Sequence, residues 1–233
     1  MNARLVLILT VILFSIMRVN SPKTITPILE VNYYPRDFGW EKFWQYWPQT
    51  KSQMDIDLDL IQELGVNTVR IFLHPFTFGY PQPTATYLNY FEEALTLINA
   101  HDLKAHVTLF DCWWSWEDIS GSQTWINDVV NPHLNDPRIA VWELQNEVLL
   151  DQSVVRNWVQ NVFPYLHERT GDIPTTVSVN RVEWLDDIRD LTAASPPDIY
   201  SWHWYPSDFH WTKPFPSDID AAREAIGSAE LLL

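Results

Sequence analysis

The sequence is short of three kinds of residue, and each shortage excludes a class of protein. Cys112 is the only cysteine in 233 residues, so the chain has no internal disulfide and no second thiol for a zinc or redox motif. Six glycines, none in a GxGxxG or GxxxxGK spacing, leave no phosphate-binding loop. Fifteen basic residues against thirty acidic ones give a net charge of −15 with no basic stripe, which argues against a nucleic-acid partner.

Apolar and aromatic residues, by contrast, are abundant. Hydrophobic residues make up 46% of the chain and aromatic residues 14%. A chain of this length and composition can bury a core without disulfides or metals. We therefore expect one domain, which extends from residue 26 to residue 233, and we expect it to be a monomer.

Residues 1–20 differ from the rest. Arg4 precedes the apolar run 5–17, which is too short to span a bilayer comfortably and is typical of a signal-peptide core. No convincing small-x-small cleavage site follows, so an uncleaved N-terminal anchor stays open. Both interpretations predict a secreted or extracytoplasmic domain whose only membrane contact is this segment.

From residue 28 onward, short β-branched or aromatic runs alternate with amphipathic segments. The predicted strands cover residues 28–35, 67–74, 104–111, 139–147, 174–180 and 198–205. The first five strands start about 35 residues apart, the length of one strand plus its crossover helix. The alternation predicts an α/β fold with a parallel sheet.

The segments between the strands have helical periodicity. Ile56, Leu60 and Leu64 recur at a spacing of four, and Gly65 follows as a C-terminal stop. The segment 87–103 shows the same periodicity. We expect these apolar stripes to face the sheet.

The positions of the polar residues favour a barrel over an open sheet. Barrels gather functional groups at the carboxyl ends of many strands, whereas open sheets use one switch point, usually with a glycine-rich turn. Here the polar groups that come late in, or just after, their strands are Arg70, His74, Asp111, Asn146, Glu147, Asn180, His203 and Tyr205. The sequence predicts an incomplete (β/α)8 TIM barrel of six βα units, with a seventh strand beginning within residues 225–233.

Glu147 ends an apolar strand where the walls of a barrel would meet solvent. Desolvation at such a place raises the pKa of a carboxyl group and suits it to donate a proton near neutral pH. Alternatively, Glu147 pairs with a buried arginine or caps the following helix. The residues alone do not choose between these interpretations.

Three segments resemble one enzyme family. They are WELQNE at 142–147, NTVRI at 67–71 and SWHWYP at 201–206. Together they resemble the retaining glycoside hydrolases of the cellulase/mannanase type, in glycoside hydrolase family 5 and its wider (β/α)8 clan. The resemblance extends from about residue 28 to the end of the sequence.

The resemblance implies hydrolysis of β-glycosidic bonds in a polysaccharide or oligosaccharide, and it assigns roles to five residues. Glu147 would be the general acid/base, and Asn146 would hold the sugar 2-hydroxyl. Arg70 matches an arginine that lies beside the family's nucleophile. His203 and Tyr205 match a His-x-aromatic element whose spacing of two places both side chains on the same side of the strand.

The sequence departs from the family at the nucleophile, a glutamate that closes the seventh strand. Glu230 stands at the beginning of that strand, the wrong end for the role. Asp111 and Glu183 follow other strands, although a hydrogen-bonded loop position is the simpler interpretation of both. We expect this chain to be a fragment that hydrolyses glycosides poorly. A non-catalytic carbohydrate-binding barrel is the alternative.

Thirteen tryptophans provide a further indication. Flat aromatic faces bury the apolar faces of pyranose rings, and loops after strands line the active face of a barrel. The residues we expect to contact sugar are Trp40, Asp111, Trp113, Trp114, Trp116 and Trp204. Trp142 and Trp202 lie within strands and are expected in the core.

We predict no cofactor and no metal. His74, His106 and His203 could join Asp111 in a metal-dependent hydrolase. However, no His-x-His ends the first strand and no HExxH occurs, so metal-ligand geometry has no support in the sequence. The expected partner is a carbohydrate substrate.

Overall fold

The computed structural model describes residues 23, 25–204 and 215–233. The strands are β1 (Glu30–Asn32), β2 (Thr68–Phe72), β3 (Lys104–Phe110), β4 (Ile139–Gln145), β5 (Thr175–Thr176), β6 (Ser178–Val179), β7 (Ile199–Trp202) and β8 (Glu230–Leu232). The helices are α1 (Gly39–Lys42), α2 (Trp47–Glu63), α3 (Pro75–Phe78), α4 (Ala85–Ala100), α5 (Ile119–Val130), α6 (Ser153–His167), α7 (Trp184–Leu191) and α8 (Phe215–Ile226).

The strands form one curved parallel wall. Strands β1 to β5 pair in chain order, as do β6 to β8. The predicted strand 174–180 is divided between the two sheets, since Thr175 pairs with Trp142 of β4 and Ser178 pairs with Ser201 of β7. Backbone hydrogen bonds continue across this joint, because the N–H of Val148 donates to the Ser178 carbonyl at 3.0 Å. The incomplete (β/α)8 barrel predicted from the sequence is confirmed.

Side chains along the strands alternate between two layers. Those of Arg70, His106 and Glu143 contact one another on the inner side of the wall. The residues between them, such as Val107 and Trp142, join the apolar layer that packs against the helices. The period of two along each strand thus places polar groups inside the barrel and apolar groups beneath the helices.

Helix α2 forms where helical periodicity was found, but the predicted buried face was wrong. Ile56, Leu60 and Leu64 are 58%, 58% and 69% exposed. The face that packs inward consists of Trp47, Thr50, Met54 and Leu58. This second stripe begins at Trp47, before the segment in which the periodicity was recognised. The Trp47 ring stacks on Trp44 with ring centroids 5.5 Å apart, and this large aromatic contact turns that side of the helix toward the core.

The start of the described chain packs against the amino end of the barrel. The ammonium group of Lys23 donates to the Ile173 carbonyl at 2.8 Å and pairs with Asp198 at 3.1 Å. Burial lowers the pKa of Lys23, although Asp198 favours its charged form. The apolar run 5–17 lies outside the described residues, and within them no helix is long and apolar enough to cross a bilayer.

The corrected orientation of α2 predicts unequal costs for two similar substitutions. Leu58→Ala removes a side chain with no exposed surface and should lower the free energy of unfolding by about 2–5 kcal/mol. Leu60→Ala, at a 58% exposed position, should change it by about 0.5 kcal/mol or less. Urea unfolding of the two variants measures both values. Equal losses would show that the helix buries the other stripe.

Candidate functional site

A hollow of about 340 Å³ opens at the carboxyl ends of the strands. Its walls combine three aromatic rings with amide, guanidinium, imidazole and carboxyl groups. The lining residues are Asn32, Tyr34, Trp40, Arg70, Phe72, Asn146, Glu147 and His203. Four of the five residues that the resemblance assigned to catalysis therefore meet in one place. The fifth, Tyr205, lies outside the described residues.

Glu147 presents its carboxyl group to this hollow. The Nδ1 atom of His203 lies 2.8 Å from its Oε1 atom, and the Asn180 amide donates to its Oε2 atom at 3.2 Å. The Glu147 side chain is 20% exposed. The carboxyl group is thus held by neighbours from the following strands while one side stays open to solvent.

The backbone at Glu147 adopts a left-handed conformation with φ of 49°. For a residue other than glycine this conformation costs roughly 1–2 kcal/mol, and such strain concentrates at functional sites. The Ser178 hydroxyl oxygen accepts the Glu147 N–H at 2.9 Å and secures the turn. Because the turn interrupts the alternation of the strand, Asn146 and Glu147 both reach the hollow although they are adjacent.

These positions favour neither alternative role for Glu147. The buried arginine Arg70 pairs with Glu143, at 2.5 Å, and not with Glu147. The next helix, α6, begins at Ser153 after an N-cap at Gln152, so Glu147 does not cap it. The carboxyl group of Glu147 lines the hollow, with His203 and Asn180 as its neighbours.

Arg70 forms the floor of the hollow and is 2% exposed. Its Nε and Nη2 atoms donate to Glu143 Oε2 at 2.8 and 2.5 Å, and Nη2 also donates to Asn146 Oδ1 at 2.9 Å. A further bond of 3.3 Å runs from Nη1 to Asn32 Oδ1. Because Arg70 holds the oxygen of the Asn146 amide, the amide nitrogen is left to donate to a ligand.

Sequence reasoning missed the buried charges beneath Arg70. Glu143 is fully buried and also accepts a hydrogen bond from the Thr108 hydroxyl. His106 lies 3.4 Å from Glu143 and 2.8 Å from Glu30. The available signal was Glu143 itself, a charged residue in the middle of an apolar strand, which requires a buried partner.

The two buried titratable groups have shifted pKa values. Burial alone would raise the pKa of Glu143, but the positive charge of Arg70 and the neighbouring His106 outweigh it and hold this pKa well below its usual range. Burial alone would lower the pKa of His106, but Glu30 and Glu143 outweigh it and raise this pKa. The cluster is therefore an alternation of opposite charges inside the barrel.

Asp111 was expected to contact sugar, but it does not line the hollow. It is 5% exposed, and its Oδ2 atom accepts a hydrogen bond from Trp40 Nε1 at 2.5 Å. His74 Nε2 lies 3.3 Å from the same oxygen. Asp111 is the hydrogen-bonded loop residue that the sequence left as its simpler interpretation, and it fixes Trp40, which does line the hollow.

The other tryptophans that were expected to contact sugar differ in how much of the side chain is exposed. Trp114 is 61% exposed, whereas Trp113 is 4% exposed and packs in the core, so its ring has little face left for a sugar. Trp116 is half-buried and donates to Gln145 at 3.2 Å. Trp204 donates to Asp218 at 2.9 Å and lines a smaller cavity of about 220 Å³ beside the hollow. Trp142 and Trp202, expected in the core, are buried.

The described residues contain no group of three histidine, cysteine or acidic side chains placed to hold a metal ion. The three histidines of the metal alternative point to different partners. His106 faces Glu143, His74 faces Asp111 and His203 faces Glu147.

Fold and hollow together define a parallel α/β barrel with a carboxyl group at the carboxyl ends of its strands. The family model described as "Cellulase (glycosyl hydrolase family 5)" matches residues 31–228. The chain belongs to glycosyl hydrolase family 5. No curated protein sequence matches it significantly.

Solved structures share the fold at low sequence identity. An exo-β-1,4-mannosidase, Op5Man5 from Opitutaceae bacterium strain TAV5, is 21% identical with a TM-score of 0.72, and the match covers 92% of this chain and 47% of that one. A GH5_18 protein from Streptomyces cattleya, in complex with Manβ1-4GlcNAc, is 15% identical with a TM-score of 0.62 over 78% and 52% of the two chains. This chain thus spans about half the length of these structures.

The buried pair predicts a large effect of removing one charge. Glu143→Gln leaves Arg70 uncompensated in the core and should lower the free energy of unfolding by about 3–5 kcal/mol. Replacing both partners, with Arg70→Met and Glu143→Leu, should restore much of that loss. Urea unfolding measures both. As a control, Glu93→Gln breaks an exposed pair with Lys51 and should cost about 1 kcal/mol or less. A similar cost for Glu143→Gln would contradict the prediction.

The raised pKa of His106 predicts a loss of stability in mild alkali. Protonated His106 stabilises the fold fully below its unfolded pKa of 6.5, and this contribution disappears as the pH rises through the folded pKa. The difference in unfolding free energy between wild type and His106→Gln should therefore shrink as the pH rises from about 6 to 9. Denaturant titrations across that range measure it. A difference that grows with pH would show that the pKa is lowered instead.

Proposed function

We propose that this chain carries the acid/base half of a retaining β-glycoside hydrolase site. The proposal rests chiefly on Glu147, whose carboxyl group faces an open hollow between His203 and Asn180 in a barrel of glycosyl hydrolase family 5. In this role Glu147 protonates the glycosidic oxygen and then accepts a proton from the attacking water. The Asn146 amide nitrogen donates to the sugar 2-hydroxyl beside the reacting carbon.

Arg70 and His203 support these two groups. The bond from Arg70 to the Asn146 oxygen, at 2.9 Å, fixes which end of the amide meets the sugar. His203 contacts Glu147 at 2.8 Å and orients the carboxyl group during proton transfer. Such preorganisation lowers the reorganisation needed in the transition state.

We propose a neutral β-linked glycan as substrate, with β-1,4-mannosides as the first to test. The net charge of −15 disfavours an anionic polymer. Two of the structures with this fold are an exo-β-1,4-mannosidase and a protein in complex with Manβ1-4GlcNAc. Their names motivate the choice of assay.

Retaining chemistry needs a second carboxyl group about 5 Å from the first. Among the described residues that line the hollow, Glu147 is the only one with a carboxyl group. Glu230 begins β8 and lines a cavity with Lys23 and Asp198 at the opposite end of the wall. We infer that the described residues do not supply the nucleophile and that the chain turns over slowly. The same observation favours a carbohydrate-binding barrel as the second candidate function.

An external nucleophile tests the proposal. With an aryl β-mannoside, azide should attack the anomeric carbon while the aryloxide leaves with the bonding electron pair, giving the α-mannosyl azide. Added azide should raise turnover of the wild-type chain by at least about tenfold, since it replaces the missing group. Chromatography of the azide product and release of the phenol measure the reaction.

Substrates whose leaving groups differ in basicity test whether Glu147 is the general acid. Glu147→Gln should abolish azide-dependent turnover of a substrate with a basic aryloxide, which needs a proton, but not of a dinitrophenyl substrate, which does not. Lys51→Ala, on the outside of α2, serves as the unaffected control. Rapid hydrolysis without azide would refute the inference that the nucleophile is missing. Glycan binding without turnover under any condition would favour the binding barrel.

A further inference from the structure

Asn180 follows β6 directly and contacts one of the two oxygen atoms of the Glu147 carboxyl group. Its Nδ2 atom donates to Oε2 at 3.2 Å, whereas the Nδ1 atom of His203 lies 2.8 Å from Oε1. The two oxygens therefore have different neighbours, an amide at one and an imidazole at the other. This difference matters because a protonated carboxyl group carries its proton on one oxygen only.

Burial holds the Asn180 amide in one orientation. Its Oδ1 atom is buried and has no hydrogen-bond partner among the described residues. A rotation that exchanged the two ends of the amide would place the NH2 group at that buried position. A buried N–H group without an acceptor is rarer in proteins than a carbonyl oxygen without a donor, and it is costly. Asn180 therefore acts toward Glu147 Oε2 as a donor.

The backbone of residues 178–180 is tied to both sides of the carboxyl group. The Ser178 hydroxyl accepts the N–H of Glu147 at 2.9 Å, and the Val179 carbonyl accepts the N–H of His203 at 2.8 Å. This short segment thus fixes Glu147 and His203 relative to each other. Because Asn180 is the next residue, its side chain reaches Oε2 from a backbone that has little freedom to move.

The arginines near this contact have other partners. Arg70 belongs to the buried ion pair, and Arg181 lies over the ring of Trp184, with its guanidinium carbon 4.6 Å from the ring centre. The titratable group within hydrogen-bond distance of the Glu147 carboxyl group is His203. A substitution of the amide therefore acts on this carboxyl group without first breaking an ion pair.

We propose that Asn180 is a positioning residue that keeps the proton of Glu147 on Oε1. The inference rests on the proposed function. Because Oε2 accepts from Asn180, it is the carbonyl oxygen of the protonated acid. Oε1 then carries the proton, which passes to the glycosidic oxygen as that oxygen leaves the anomeric carbon with the bonding electron pair. After the transfer, the same amide stabilises the carboxylate that accepts a proton from the attacking water.

Azide-dependent turnover of aryl β-mannosides distinguishes this role from a structural one. Asn180→Ala should lower turnover of phenyl β-mannoside, whose leaving group needs a proton, roughly tenfold. Turnover of dinitrophenyl β-mannoside, whose leaving group needs none, should change by less than about twofold. Asn180→Gln keeps an amide donor and should recover part of the loss. The control Asn161→Ala removes an exposed amide from α6 and should change neither rate.

The ionisation of Glu147 provides a second readout that needs no turnover. Carbon-13 NMR of the glutamate carboxyl groups measures the pKa of Glu147, and the spectrum of Glu147→Gln identifies its resonance. Asn180→Ala should raise this pKa because the carboxylate loses a donor. The nearly isosteric Asn180→Asp should raise it further because it adds a negative charge. Since the acid must be protonated, the alkaline limb of phenyl β-mannoside turnover should move to higher pH with the pKa.

Three results would overturn the role of Asn180. Equal losses for the two leaving groups in Asn180→Ala would assign the residue to packing and leave the proposed function intact. An unchanged pKa of Glu147 in both the alanine and the aspartate variants would show that the amide does not act on the carboxyl group. If the wild-type chain shows no azide-dependent turnover, the proposed function is wrong, and so is the role in proton transfer, even where the NMR shift confirms the contact.

Discussion

The ion pair between Arg70 and Glu143 is the constraint on which the rest of the site depends. Neither charge could remain in the interior of the barrel alone, since an unpaired buried charge costs several kcal/mol. Glu143 belongs to β4 and Arg70 to β2, so the pair fixes two strands across β3. The same guanidinium group also holds the amide of Asn146. The interaction that stabilises the core therefore sets the geometry of the hollow above it.

The polar interior explains how a short apolar strand leads to a carboxyl group at the hollow. Along β4 the charged and amide side chains face inward while Trp142 and Leu144 pack beneath the helices. At Glu147 the backbone turns into the left-handed region, and the carboxyl group moves from this closed interior to the open rim. The strand and the turn that follows it thus place one carboxyl group in a buried ion pair and another at the edge of the hollow.

Much of this arrangement could be predicted from the sequence, for definite reasons. Strands were found because their β-branched and aromatic runs are local features, and Arg70, Asn146, Glu147 and His203 were found because barrels collect polar groups at strand ends. The structure adds most where tertiary contacts decide. The stripe of α2 that packs inward depends on Trp47 stacking with Trp44, and the role of Asp111 depends on Trp40 from another loop. Single-sequence periodicity contains neither contact.

The contacts around the two carboxylates also differ in where their partners lie along the chain. The direct contacts of the cluster around Arg70 and Glu143 come from residues 30–146, whereas the described groups that hold Glu147 come from residues 178–203. A polypeptide emerging from the ribosome therefore contains the direct contacts of this buried pair well before it contains those of Glu147. Vectorial synthesis would complete the foundation of the hollow first and its rim last.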